Sequence, residues 1–162
     1  MLNNILNINN EFLEILIISM LPITELRFSI PYFIIIEQVA WQKVFFISIF
    51  GNIFIGLLVR YIIAPVMIML KMNNFFKRSI NYILNRTKSK SGIINNYKLA
   101  GLVLFIGIPL PLTGVWTGSL ASYLFSISKK RSIIGIVVGV LISSIIVLSL
   151  TLLGKEIGNI IK

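Results

Sequence analysis

The feature that most constrains this sequence is a charged pair enclosed in a long apolar stretch. Residues 12–40 are mostly apolar, yet Glu25 and Arg27 lie near the middle, with Pro22 and Pro31 on either side. Ionisable side chains are costly at membrane depth, and they mark functional positions there. Proline lacks the amide hydrogen that a helix interior needs. The pattern predicts non-helical backbone between the prolines, in which both charges can point into one cavity.

A second apolar stretch is interrupted in a similar way. Residues 99–126 contain the segment I-P-L-P-L-T-G-V-W-T-G at 108–118, whose prolines and glycines permit a chain reversal and a close approach. Blocks 44–70 and 132–153 are also apolar, and each is long enough for one crossing, which takes about 20 helical residues. The predicted turn residues of the two breaks are Pro22, Pro31, Pro109, Pro111, Gly114 and Gly118.

The composition is that of a membrane protein. Hydrophobic residues make up 57% of the chain and charged residues 12%, whereas a soluble domain carries about 25% charged residues. We therefore expect one all-α integral membrane domain, residues 1–162. The sequence contains no Cys and no His, which excludes disulfides, thiol nucleophiles and Cys/His metal sites. We expect no catalytic residues, metal or cofactor, and a transporter rather than an enzyme.

Charge placement bears on the topology of the two broken blocks. Two full crossings need about 40 residues, so each block is either one broken span or a re-entrant hairpin that enters and leaves on the same side. With two hairpins, ten cations and no acid fall on one side of the membrane. With two full spans, the cluster at 129–131 moves to the opposite side. The positive-inside rule favours hairpins in a bacterial inner membrane, with a cytoplasmic connection at 71–98 and both termini outside.

This topology divides the chain into two repeats, 12–70 and 99–154. Each repeat is a re-entrant helical hairpin followed by one transmembrane helix. Each repeat crosses the membrane once, so the second repeat begins on the opposite side from the first. The two repeats are therefore expected to have inverted topology. Their two breaks would then meet near the midplane, where transporters commonly bind substrates. A domain with two crossings is thin, so we also expect a homodimer or a larger assembly.

Several polar side chains in the apolar blocks are candidates for binding a substrate or a proton. Arg27 can hold an anionic head group through its planar fork, and Glu25 can accept and release a proton. The alternative is a static ion pair that holds the break together. The full set of candidates is Glu25, Arg27, Asn52, Arg60, Thr113, Trp116 and Thr117.

Five of these candidates have a second interpretation that the sequence leaves open. Thr113 and Thr117 can touch a ligand or satisfy backbone groups freed at the break. Asn52 can bond backbone that a hairpin leaves unpaired. Arg60 can pair with Glu25 or extend toward the lipid head groups. Trp116 can stack on a ligand, or it can serve as packing or as an interface anchor. The net charge of +10 does not indicate a nucleic-acid partner, because the basic residues cluster at the ends of apolar segments, as orientation signals do.

The two broken motifs resemble a known family. P-I-T-E-L-R-F-S-I-P at 22–31, G-N at 51–52 and G-L-V-L-F-I-G-I-P-L-P-L-T-G-V-W-T-G at 101–118 are similar to the small multidrug export proteins of bacteria and archaea. That family distantly resembles the DedA/VTT membrane proteins, which have paired re-entrant hairpins with intramembrane acids and arginines. The resemblance implies a central site at Glu25 and Arg27, with the turn at 108–118 as the opposing hairpin.

The chain departs from the family pattern at two places. Phe28-Ser29 follows E-L-R where small residues are common, which would narrow a cavity. Leu112 stands where glycine is common, which would stiffen the turn. Neither departure removes the charged pair.

Three functions are compatible with these observations. The family name implies a small-molecule or multidrug exporter, and the chemistry of Glu25 would allow proton coupling there. The DedA likeness implies a translocase or scramblase of phospholipid or polyprenyl phosphate. The third function is a non-transporting membrane scaffold, in which the charged pair is only structural. Arg27 without an aromatic cage favours an anionic group over a cationic drug, which on chemical grounds favours the lipid translocase. The expected partners are membrane lipids, a small amphipathic or anionic substrate, and protons.

Overall fold

The structure, a computed structural model, describes residues 2–72, 94–110 and 113–160, and every regular element in them is helical. This confirms the predicted all-α class. Pro111 and most of the predicted basic connection lie outside the described residues. The helices are α1 (Leu2–Met20), α2 (Glu25–Pro31), which continues into a π-helical turn (Tyr32–Ile36), α3 (Trp41–Met72), α4 (Ile94–Gly107), α5 (Val115–Leu124) and α6 (Lys129–Ile160).

Two of the described helices are long and apolar enough to cross a bilayer. They are Trp41–Ile63 within α3, with a mean hydropathy of 2.0, and Lys129–Ile160, which is α6, with a mean hydropathy of 2.9. A helix rises 1.5 Å per residue, so about 20 residues match the hydrocarbon thickness. Helices α2, α4 and α5 have 7, 14 and 10 residues and fall short of that length.

The two long helices form the centre of the fold. Helix α3 packs against α6, α1 lies beside α3, and α4 lies beside α6. The short helices α2 and α5 each contact both long helices. Buried apolar side chains from the short and the long helices fill the space between them, among them Ile30 of α2, Ile106 of α4, Val115 of α5 and Ile136 of α6. Each half of the chain therefore runs as a helix, a break, a short helix and a long helix.

The first break is shorter than the sequence predicts. The backbone leaves the helix only over 21–24, and Pro31 is the last residue of α2 rather than part of a turn. Pro31 cannot donate a backbone hydrogen bond, and the chain changes from α-helical to π-helical bonding directly after it. In the π-helical turn the Glu37 amide donates to the Tyr32 carbonyl at 3.3 Å. This widened turn accommodates the proline without ending the helix.

Gly118 also lies inside a helix rather than in the second turn. It is buried in α5, where an added Cβ would overlap the Ile106 side chain of α4. A glycine here lets the two helices that flank the second break approach each other closely.

Candidate functional site

The carboxylate of Glu25 caps a helix of the other break. Glu25 is 5% exposed and begins α2 with a φ of 47°, a left-handed conformation that non-glycine residues rarely adopt. Its oxygens accept hydrogen bonds from the amides of Val115 (3.3 Å) and Trp116 (3.4 Å), the first two residues of α5. Amides at a helix N-terminus lack intrahelical acceptors and carry partial positive charge. The anionic side chain of the first break therefore stabilises the start of the short helix in the second.

Gly114 makes this contact possible. It precedes α5 with a φ of 140°, which favours glycine, and an added Cβ would overlap the Glu25 carboxylate. Residue 114 thus has to be a glycine both for its backbone conformation and for the space that the carboxylate occupies.

The guanidinium of Arg27 binds the opposite helix end of the second break. Nη1 donates to the carbonyls of Leu110 and Thr113, the latter at 2.8 Å, and to the Thr113 hydroxyl at 3.0 Å. Nη2 donates to the carbonyls of Ile106 (3.2 Å) and Ile108 (3.3 Å) at the end of α4. Carbonyls at a helix C-terminus lack amide partners and carry partial negative charge, which suits a cation. The Nε atom is buried without a hydrogen-bond partner among the described residues.

The static ion pair considered from the sequence is not the arrangement observed. Within the described part of the chain, Glu25 and Arg27 form no ion pair with each other. One bonds the N-terminus of α5 and the other the C-terminus of α4, so the first break supplies a charge of the appropriate sign to each helix end of the second.

The end of α1 is bonded in turn by residues from elsewhere in the chain. The indole Nε1 of Trp116 donates to the carbonyl of Met20, the last residue of α1, at 3.0 Å. Nδ2 of Asn52, a buried residue of α3, donates to the carbonyl of Ser19 at 2.6 Å. This is the backbone contact that the sequence left open as one role for Asn52.

Arg60 does not meet Glu25, so the pairing considered from the sequence is wrong. Arg60 is 7% exposed and lies where α5 passes into α6. Its Nε donates to the Ser132 hydroxyl at 3.2 Å, its Nη2 to the Ile127 carbonyl at 3.0 Å, and its guanidinium carbon lies 5.7 Å from the centre of the Tyr123 ring. Helix α3 places residue 60 near this loop and away from the two breaks.

A cleft of about 460 Å³ opens beside the two charged residues, bordered by Pro22 and Pro109. A second cleft, of about 380 Å³, also touches Arg27 and reaches Thr151 of α6. Arg27 thus lies between two clefts. Trp116 does not line the first cleft, and its connection to that cleft is the hydrogen bond from its amide to Glu25. Asn52 and Arg60 line neither of the two clefts. The side chains that line the first cleft include Ile23, Glu25, Arg27, Leu110, Thr113 and Thr117.

Sequence reasoning missed two groups of contacts. The two prolines of the second break signal that some carbonyls there lack amide partners, but they do not identify the ones that hold Arg27. In a helix Pro109 and Pro111 would free the carbonyls of Phe105 and Gly107, whereas Arg27 bonds those of Ile106, Ile108, Leu110 and Thr113. The hydroxyls of Ser29 and Ser48, 2.9 Å apart, join α2 to α3 in the core. Hydroxyls within apolar blocks were the available signal for that pair.

These features define an all-helical membrane protein in which two broken segments hold each other's helix ends. The chain belongs to the family described as "Putative small multi-drug export protein", whose model matches residues 25–146, or 122 of the 162 residues. The matched range contains all seven residues predicted to bind a substrate or a proton, and it confirms the resemblance seen in the two broken motifs. Neither a search of curated proteins nor a search of solved structures found a match.

Proposed function

We propose that this chain is a transporter of the bacterial inner membrane, which exports a small anionic or amphipathic molecule through the cleft beside Glu25 and Arg27. The observation that carries the proposal is the bonding of these two side chains to helix ends of the second break, at the wall of that cleft. A substrate anion that binds Arg27 competes with the carbonyls of the second break. Substrate binding at the cleft is therefore coupled to the hydrogen bonds that join the two halves of the chain.

The proposed topology has two re-entrant hairpins, α1–α2 and α4–α5, in inverted repeats. In its support, the two halves share one order of elements, and only α3 and α6 among the described helices have the length and hydropathy of a span. The connection would be cytoplasmic, the termini outside, and the working unit a homodimer. Rocking of one repeat against the other would open the central cleft to each side in turn.

Proton coupling would act through Glu25. A neutral carboxyl loses its charge-assisted bonds to the first amides of α5 and its attraction to the helix dipole. Proton uptake at Glu25 would then loosen the link between the first break and α5, and proton release would restore it. Transport coupled to a proton gradient follows from that exchange.

A translocase or scramblase of phospholipid or polyprenyl phosphate is the second candidate. It is favoured by the lining of the cleft, where Arg27 lies beside the exposed apolar side chains of Ile23 and Leu110. The described lining residues include no aromatic ring that could cage a cation. Arginine binds phosphate with two parallel hydrogen bonds. A lipid therefore matches the lining, with its phosphate head group at Arg27 and its acyl chain against Ile23 and Leu110.

Flux measurements in liposomes test both candidates. The reconstituted chain is assayed with a drug probe, a phospholipid probe and a polyprenyl-phosphate probe, with and without a proton gradient. An exporter moves the drug in response to the gradient, and a translocase moves a lipid probe. Glu25→Gln and Arg27→Ala should both reduce the flux, whereas Glu37→Gln, at an exposed acid away from the cleft, should not. Absence of any flux would leave the scaffold function instead. Full flux in both cleft variants would show that the cleft beside Glu25 and Arg27 is not the transport site.

The topology has its own test, because the natural chain contains no cysteine. Ser128→Cys and Ser89→Cys are each treated from outside intact cells with a membrane-impermeant thiol reagent. Both residues should be protected equally, since the proposal places both in the cytoplasm. Labelling at position 128 alone would show that the second broken block crosses the membrane.

A further inference from the structure

An apolar groove of about 630 Å³ runs between α4 and α5, away from the central cleft. Along α4 it extends from Tyr97 to Phe105, a distance of about 12 Å at the helical rise. Gly101 leaves its floor open, since an added Cβ there would meet no atom within 4 Å. The opposite wall includes Ala121 of α5 and Phe125, the residue that follows α5. The groove shares no lining residue with the cleft beside Glu25 and Arg27.

One end of this groove adjoins a concentration of positive charge. Ile127 lines the groove, and its carbonyl accepts a hydrogen bond from the buried guanidinium of Arg60. The three cations that begin α6, here called the α6 basic cluster, follow two residues later: Lys129, Lys130 and Arg131. Lys129 lies 5.8 Å from the centre of the Tyr61 ring.

The α6 basic cluster has no acidic counterpart nearby in the sequence. The five acids of the chain are Glu11, Glu14, Glu25, Glu37 and Glu156, and none of them lies in α4, in α5 or between α5 and the cluster. The cluster also stands at the N-terminus of a 32-residue helix, where the helix dipole disfavours cations. An anion bound at this position would offset both the mutual repulsion of the cations and their repulsion by the dipole.

We propose that the groove and the α6 basic cluster together bind an anionic phospholipid of the surrounding membrane. One acyl chain lies in the groove between α4 and α5, and the phosphate lies at the cluster, at the level of Tyr97 and Phe125. Basic pockets beside transmembrane helices recognise anionic lipid head groups through this combination of charge and apolar contact. The site is separate from the proposed transport cleft, so it does not depend on what the protein transports.

Lipid retention in native mass spectrometry tests the charged half of the site. The full chain, purified in detergent, is mixed with phosphatidylglycerol or phosphatidylcholine of identical acyl chains. The natural chain should retain phosphatidylglycerol preferentially. Lys129→Gln and Lys130→Gln should each lower that preference about fivefold, in line with the contribution of one basic residue near an anionic lipid surface. Lys155→Gln, near the other end of α6, should leave the preference unchanged.

Two glycine substitutions test the apolar half. Gly101→Leu fills the groove, whereas Gly154→Leu adds the same side chain at another helical glycine with no atom within 4 Å of an added Cβ. Gly101→Leu should reduce retention of both lipids several-fold, and Gly154→Leu should not. A site for soluble phosphate would be indifferent to both changes. Equal retention of the two lipids by the natural chain would overturn the proposal, as would undiminished retention of phosphatidylglycerol by a monodisperse, folded Gly101→Leu variant.

Discussion

Arg27 and Trp116 each donate to a helix end of the other's break. Nη2 of Arg27 lies 3.2 Å from the Ile106 carbonyl near the end of α4, and Nε1 of Trp116 lies 3.0 Å from the Met20 carbonyl at the end of α1. Both donors belong to the first turn of a short helix, α2 or α5. Non-helical backbone at membrane depth needs partners within the protein. Neither half can therefore move away from the other without exposing polar backbone.

Replacement of the indole tests this reciprocal arrangement. Trp116→Phe keeps an aromatic ring but removes the donor to Met20, so we expect a loss of about 1 kcal/mol in the free energy of unfolding, as for one hydrogen bond inside a membrane protein. Trp41→Phe, at the exposed start of α3, is the matched control and should change the free energy of unfolding by less. Chemical unfolding in mixed micelles, followed by circular dichroism, gives the comparison. Equal effects of the two substitutions would argue against a role for the Trp116 donor.

The contact between Gly114 and Glu25 yields a second prediction. Gly114→Ala should lower the free energy of unfolding by about 1–3 kcal/mol, because alanine is strained at a φ of 140°. The displaced carboxylate adds to that loss, since it also gives up the amides of α5. The control is Gly154→Ala, whose Cβ meets no atom within 4 Å and which should stabilise α6 by up to about 1 kcal/mol. A neutral outcome at position 114 would contradict the conformation described for this turn.

The sequence predicted the two breaks, the all-helical class and the importance of Glu25 and Arg27, since prolines and charges within apolar runs are local signals. It did not predict what the charges bond. Arg27 and Thr113 are 86 positions apart, and no local pattern states which helix end a side chain will reach. The helical conformation of α2 was missed for a related reason. Whether Pro31 ends a helix or is absorbed by a π-helical turn depends on the packing around it.

Buried polar groups give a third prediction. Asn52→Leu leaves the Ser19 carbonyl without its side-chain donor and should lower the free energy of unfolding by about 1–3 kcal/mol. Ser143→Ala is an informative comparison, because the buried Ser143 hydroxyl has no partner among the described residues. Its removal should be neutral or slightly stabilising. Thermal inactivation of both variants in one detergent would rank them. A larger loss of stability for Ser143→Ala than for Asn52→Leu would contradict the description of Asn52 as hydrogen-bonded and of the Ser143 hydroxyl as unpartnered among the described residues.

The close approach of α4 and α5 behind the second break gives a fourth prediction, testable by a double-mutant cycle. Gly118→Ala forces a Cβ into the space of the Ile106 side chain and should cost about 1–3 kcal/mol as overpacking. In an Ile106→Ala background that space is vacant, so the same substitution should cost much less and the two changes should not be additive. The four unfolding free energies are measured under one condition. Strict additivity would mean that residues 106 and 118 do not touch, and that α4 and α5 do not pack as the structure describes.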